Sequence, residues 1–444
     1  METEENRWYR LDNAATIVPS SVHGSDTRVF RIVCELNEPV DGELLQDALD
    51  LTIEEFPHYN VILRKGLFWY YLDSIQAKAR VTGENIAACA PLYYAGRRKL
   101  LYRVSYYNCR INLEMFHVLA DGTGAFSFLK NIVTNYLALA HQIPVEPEES
   151  DRSSAEEKNV DAFSQFYSKE KNREQLKGML GTGAYQLEQV KDANLESRLI
   201  EGVVSAKEFI GLAHEYHTTA GILTVALYVE AILNVMSIRE KRKVIVISVP
   251  VNLRQYFHSE TTRNFFGVIN VAFHPKDYDG TLESILKVVQ ASFDEQLKED
   301  KIRETMNGYS GLTHNIAVKV IPLFIKDPGI NLVTRIAQKG TTATMSNLGK
   351  IKMPEELCPY IKQFSAFMAT PNLQICVSTF GDRMVFGAVS AYEEHRTLLN
   401  FFRGLSKRGL AVEIASNDYD KKPAVRSANA ENEDRVTEEE RKKC

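Results

Sequence analysis

The stretch from Phe116 to Gly124 reads FHVLADGTG. It places a histidine, an aspartate four positions later and a glycine directly after the aspartate. A neutral imidazole, whose ordinary pKa is about 6.5, takes up a proton readily near neutrality and is the commonest general base. The stretch also has simpler readings. In INLEMFH, Ile111, Leu113, Met115 and His117 share one face of an alternating strand, where a histidine is ordinarily a core residue. Asp121 fits the N-cap of a following helix, and Gly122 a turn.

Other chemistries find little support. GYSGL around Ser310 has the wrong spacing for a serine elbow. GMLGTG lacks the Lys-Ser/Thr that completes a phosphate loop. The pairs Glu54–Glu55 and Glu393–Glu394 read as solvated helix positions. His214 and His217 are three apart on an expected helix but have no evident third metal ligand, so no metal site is assigned. Six cysteines are scattered without a CxxC pair and read as reduced, buried thiols.

The elements that must position His117 follow from periodicity. RVFRIVCEL reads as a strand, and DGELLQDALDLTIEEF as a helix stopped at Pro57. Residues 60–75 suggest a hairpin turning at Lys65-Gly66. Leu100–Tyr107 and Arg110–His117 suggest a second, turning at Asn108-Cys109, and TGAFSFLKNIVTNYLALAH is an amphipathic helix. EPEESDRSSAEEKN is polar and reads as a linker. Beyond it, Ser205 with Glu208 fits a capping box, and Thr218 or Thr219 caps the next helix. KVIVISVPVNLR suits a strand buried on both faces. VINVAFH, TTATMS and the hairpin QICVSTF–GDR–MVFGAVSAY add strands, and EEHRTLLNFFRGLSKRG is a late helix ending at Gly409. Both halves mix strands and helices alike, so two α+β domains are expected: 1–145 and 201–416, joined by a polar crossover at 146–200 and followed by a disordered charged tail at 417–444.

Composition bounds the function. The 444 residues are 44% hydrophobic and 25% charged, ordinary for a globular protein, and the formal net charge of −5 gives no support to nucleic acid or an anionic membrane as partner. METEENRWYRLDN has no apolar signal core, and no run approaches the roughly 18 apolar residues of a membrane span. The default location is the cytoplasm.

With these features together, the sequence resembles the chloramphenicol acetyltransferase-like superfamily of CoA-dependent acyltransferases, through the H-x-x-x-D-G element at a strand-to-helix junction in the first half of the chain. WYRLDNAA, FPHYNVILRKGLFWYYL, VPVNLRQYF followed by RNFFG, and TMSNLG look like bacterial members related to alcohol acetyltransferases. There is a single histidine here rather than the paired histidines of peptide condensation domains, and the DFGWG segment of the plant enzymes is absent.

The resemblance implies two similar domains, each a mixed sheet with flanking helices, and a tunnel between them. It implies transfer of an acetyl or other short acyl group from acyl-CoA, as co-substrate rather than bound cofactor, to a small alcohol or amine. His117 would be the general base, Asp121 would pair with Arg254 outside the tunnel, and Gly122 would allow close backbone approach. Ser346 and Asn347 are oxyanion candidates that also suit a turn, and Asn264 is a candidate for the tunnel wall. Two alternatives stand beside this reading: condensation from a carrier-protein thioester, and an inactive binding module of the same fold.

Overall fold

The computed structural model describes residues 8–24, 26–145, 153–168, 183–187, 198–314, 320–390, 392 and 394–417. The first half supplies β1 (Trp8–Arg10), β2 (Val29–Leu36), β3 (Val61–Lys65), β4 (Tyr70–Ser74), β5 (Thr82–Gly83), β6 (Tyr102–Tyr107) and β7 (Arg110–Phe116). The second supplies β8 (Arg198–Ser205), β9 (Ile245–Asn252), β10 (Phe266–Phe273), β11 (Ala343–Lys350), β12 (Ile361–Met368), β13 (Gln374–Phe380), β14 (Arg383–Ser390) and β15 (Glu413–Ser416). They form a mixed five-stranded sheet, β12-β2-β7-β6-β5, a mixed seven-stranded sheet, β10-β9-β11-β13-β14-β8-β15, and a small sheet, β1-β4-β3. β11 runs parallel to both β9 and β13, while the β6–β7 and β13–β14 hairpins are antiparallel. This is the α+β architecture of mixed sheets with flanking helices expected from the pattern.

The helices begin where their caps dictate. Asp41 accepts from the backbone N–H groups of Glu43 and Leu44 and opens the helix Gly42–Glu55. Its apolar stripe packs against the helix Gly122–His141 over the first sheet. Thr219 caps the helix Ala220–Leu233. Ser205 accepts from Glu208 N, but the neighbouring N–H of Lys207 is taken by Asp382, so the cap is shared with the β13–β14 turn.

Several expectations change in detail. The β3–β4 hairpin does not turn at Lys65-Gly66: Lys65 is still paired with Tyr70, and Gly66 N donates to Trp69 O across a wider loop. A two-residue turn needs positive φ, which lysine disfavours. β9 is not buried on both faces. Ile245, Ile247 and Val249 are buried, but Val246, Ser248 and Pro250 are half-covered, because the flanking helices pack on one side only. The polar stretch after Pro144 is not wholly a linker. Ser154 and Glu157 form a capping box at the helix Ala155–Lys158, and the carbonyl of Lys158 accepts from Thr262 N. That docking is made by backbone groups, which composition does not reveal. Of the tail, Asn417 accepts from Leu199 N; 418–444 lie outside the described residues.

Sheet membership parts from chain order at β12. It pairs antiparallel with β2, so a strand from late in the sequence completes the first sheet. There it meets the second sheet closely: Ser378 Oγ donates to Phe364 O at 2.7 Å, and a Cβ on Gly387 would lie 2.2 Å from Ala366 O. Only glycine lets β14 pass β12 backbone to backbone. Gly387→Ala is therefore expected to cost about 1–3 kcal/mol through overpacking, seen as a fall of several degrees in the calorimetric unfolding temperature.

Candidate active site

His117 is the first residue after β7, and its N–H donates to Arg28 O at 2.9 Å. The strand that carries it is closed on both faces. Ile111, Leu113 and Met115 are buried on one side. On the other, Glu114 meets Arg31 at 3.0 Å and also contacts Arg103. The imidazole lies between the rings of Phe30 and Phe266, with centroids 5.2 and 5.7 Å away.

The tautomer of His117 follows from its partner. Nδ1 lies 2.9 Å from Asn264 Oδ1. Asn264 is 1% exposed, and its Nδ2 donates to His117 O and to Asp12 Oδ2, both at 3.1 Å. Those two partners can only accept, so the amide orientation is determined and Oδ1 must be the acceptor facing the ring. Nδ1 therefore carries the hydrogen. Nε2 keeps its lone pair, and it has no hydrogen bond among the described residues.

Burial sets the charge states. Loss of water around the ring lowers the His117 pKa below 6.5, against the opposing pull of Asp121. Burial raises Asp12 to about 6, although Arg263, the N–H of Ala15 and Asn264 favour its anion. His58, 4% exposed, is pushed down to about 3 by burial and by Arg263 and Lys158. Its Nε2 is 2.8 Å from Thr262 Oγ1, so it is a structural neutral imidazole.

Asp121 and Arg254 meet as the resemblance implied. Arg254 Nη1 donates to Asp121 Oδ2 at 2.8 Å and Nη2 to Oδ1 at 3.3 Å. Asp121 also accepts from Gly124 N, which makes it the N-cap, and from Phe265 N. The helix-cap reading and the ion-pair reading are thus both correct. Arg254 spends its remaining donors on the carbonyls of Thr261, Arg263 and Phe265. The fork of one guanidinium holds the whole 261–265 segment around the aspartate.

Close approach falls on Gly124 more than on Gly122. A Cβ at Gly124 would lie 1.8 Å from Thr262 O, whereas at Gly122 it would meet only the end of the Leu348 side chain, at 2.9 Å. The second glycine of DGTG carried no signal beyond its type, because its contact is distant in sequence. Asn264, expected in the tunnel wall, bonds the imidazole. Asp12, in WYRLDNAA, carries no local signal, because its partner Asn264 lies 252 positions away. Ser346 and Asn347 lie on β11, next to the Leu348 that abuts Gly122. No hydrogen bond joins them to His117 among the described residues, and Asn347 Oδ1 accepts from Gly349 N at 2.8 Å, a turn contact. The described residues hold no cluster of His, Cys, Asp and Glu suited to a metal.

Breaking the pair leaves a buried charge. Arg254→Met is expected to lose about 3–5 kcal/mol, and Gly124→Ala about 1–3 kcal/mol, in denaturant unfolding. Gly122→Ala, which meets only a side-chain end, is expected to lose clearly less than Gly124→Ala.

Neither a protein-family model nor a curated protein sequence matches the chain. Solved structures do. A trichothecene 15-O-acetyltransferase from Fusarium sporotrichioides superimposes with a TM-score of 0.59 at 10% identity, covering 90% of this chain and 97% of that one. A Fusarium graminearum protein complexed with coenzyme A and T-2 mycotoxin gives 0.62 at 11%, covering 92% and 99%. The first condensation domain of the calcium-dependent antibiotic synthetase, in complex with a substrate analogue, gives 0.57 at 14%, covering 92% and 99%. Together they establish the architecture: the chain has the two-domain chloramphenicol acetyltransferase-like fold that acetyltransferases and condensation domains share.

Proposed function

We propose that this protein is an acyltransferase that moves an acetyl or other short acyl group from acyl-CoA to a small alcohol, or less readily an amine. The carrying observation is the imidazole of His117, neutral by burial, with Nδ1–H committed to Asn264 and the Nε2 lone pair open. A base presented in that way takes the acceptor's hydroxyl proton as its oxygen attacks the thioester carbonyl. The carbon–sulfur bond then breaks, and the imidazolium returns the proton to the departing thiolate. The resemblance to an acetyltransferase and to a protein crystallised with coenzyme A supports the donor.

The remaining residues take positioning roles. Asn264 fixes the tautomer and Asp12 holds Asn264. Asp121 and Arg254 hold the loop that carries Asn264, and Gly124 lets that loop approach. Ser346 Oγ and Asn347 Nδ2 are the proposed donors to the developing oxyanion. A covalent acyl-enzyme is not part of this scheme. A nucleophile needs a base within reach, and among the described residues neither Thr123 nor Ser127 has a hydrogen bond to His117. Cys89 and Cys376 are buried, with thiols raised to about 12. The likeness to a condensation domain favours a second reading, in which the thioester is borne by a carrier protein.

Release of free thiol from acetyl-CoA in the presence of an alcohol panel tests the donor. No release with any acyl-CoA, together with turnover of a pantetheine thioester on a carrier, would favour the second reading. His117→Ala is expected to lose at least ~10²-fold in kcat with the fold intact; near wild-type turnover would remove the base assignment. Asn264→Leu is expected to lower kcat about tenfold or more with little change in KM, since it releases the tautomer and not the substrate. Double-reciprocal plots at several acceptor concentrations should intersect, as direct transfer requires.

The pH dependence follows from the sign of the shift. A histidine pKa lowered by burial keeps the base unprotonated below pH 6.5. The acid limb of kcat/KM is therefore expected to have its midpoint under 6.5, and a midpoint at or above 6.5 would contradict a buried base.

A further inference from the structure

The helix Leu323–Gln338 is inverted. Phe324, Ile325, Leu332 and Val333 point to solvent, 67%, 58%, 60% and 58% exposed, and Ile336 continues the same stripe. Pro328 and Gly329 lie between them and are also exposed. The polar side chains face the protein. Asp327 accepts from Ser20 Oγ, Lys65 Nζ and Tyr70 OH at 2.7, 2.8 and 2.9 Å. Asn331 donates to Ser20 O, Gln338 to Asp26 Oδ2, and Lys326 to Phe68 O. A surface helix ordinarily buries its apolar stripe. Here a set of hydrogen bonds fastens the polar side and holds the apolar side outward over a length of about 24 Å.

The apolar face extends beyond the helix. Leu323 N donates to Leu67 O, which joins the helix start to the β3–β4 loop, where Leu67 and Trp69 are exposed. Charge around the face has one sign. Arg335 at its edge and Lys339 at its end are exposed and make no side-chain hydrogen bond or ion pair among the described residues. The carboxylates that the contacts place beside the helix, Asp327 and Asp26, are turned inward and engaged.

We propose that this face docks on an anionic lipid surface, with the stripe in the headgroup boundary and Arg335 and Lys339 among the headgroups. This goes beyond the transfer chemistry above and does not depend on it. An apolar stripe flanked by cations and an aromatic ring is the composition of an interfacial helix. A second copy is the competing occupant, and the oligomeric state tests it. The face lies on the surface without spanning: no single described helix is long and apolar enough to cross a membrane.

The test is co-sedimentation of the full chain with vesicles of phosphatidylcholine containing phosphatidylglycerol, beside pure phosphatidylcholine, with light scattering of the free protein. The wild type should sediment with the anionic vesicles and remain a monomer in solution. Leu332→Glu/Val333→Glu should lower vesicle affinity at least about tenfold, and Arg335→Gln/Lys339→Gln about tenfold on anionic vesicles only. All of these side chains are exposed, so the unfolding temperature should not move; Phe324→Glu provides an independent check should the double variant unfold. Absence of sedimentation, or affinity unchanged in the glutamate variants, overturns the proposal. So does a wild-type dimer that Leu332→Glu/Val333→Glu converts to monomer, which would assign the face to a second copy.

Discussion

The carboxylate of Asp121 is the point on which the site depends. It lies beneath the surface and is met by a two-pronged guanidinium and by the N–H groups of Gly124 and Phe265. A buried charge is tolerated only when its lone pairs are taken, and removing one partner costs more than the pair contributes. Each of those donors comes from a different part of the chain: Gly124 from the first turn of the helix after β7, Arg254 from just beyond β9, Phe265 from just before β10. Satisfying one carboxylate therefore fixes the helix start, the loop 261–265 and the strand end relative to one another.

The loop so fixed delivers Asn264. It also binds the first half of the chain at other points: Thr262 O accepts from Tyr59 OH, Arg263 donates to Arg10 O, and Thr261 Oγ1 donates to Val160 O. The backbone of the supposed linker and the N-terminal strand region are thus part of the same clamp. Its effect at His117 is specific. An unfastened imidazole exchanges its hydrogen between two nitrogens and rotates. This one has its ring oriented by an amide whose own two hydrogens are already committed. Burial lowers the pKa of the ring and Asn264 takes its Nδ1–H, so charge state and tautomer are set by one environment.

The helix Leu323–Gln338 illustrates the same principle with the opposite polarity. Hydrogen bonds again decide which side of an element faces inward. Here Asp327, Asn331 and Gln338 turn the helix so that its apolar residues are left outside. Hydrophobic pattern alone would have buried that stripe, so its exposure records the strength of the polar anchoring.

The local part of this protein was legible from the residues. Strand alternation, the capping pattern at Asp121 and Thr219, and the H-x-x-x-D-G run depend on neighbours a few positions apart, and those elements stand where the pattern put them. His117 and Asp121 are in that class. Arg254 needed the resemblance, and its geometry needed the fold, since it lies 133 positions from its carboxylate. The partnership of Asp12 with Asn264, the contact that demands Gly124, the passage of β12 into the first sheet and the docking of Lys158 had no local signature. Each is a meeting of groups far apart in sequence, several of them backbone groups that every residue carries. Residue type and spacing determined which elements form and where His117 sits. Only the tertiary structure decided which nitrogen of that imidazole is free, because that depends on an amide brought to it from 147 residues away.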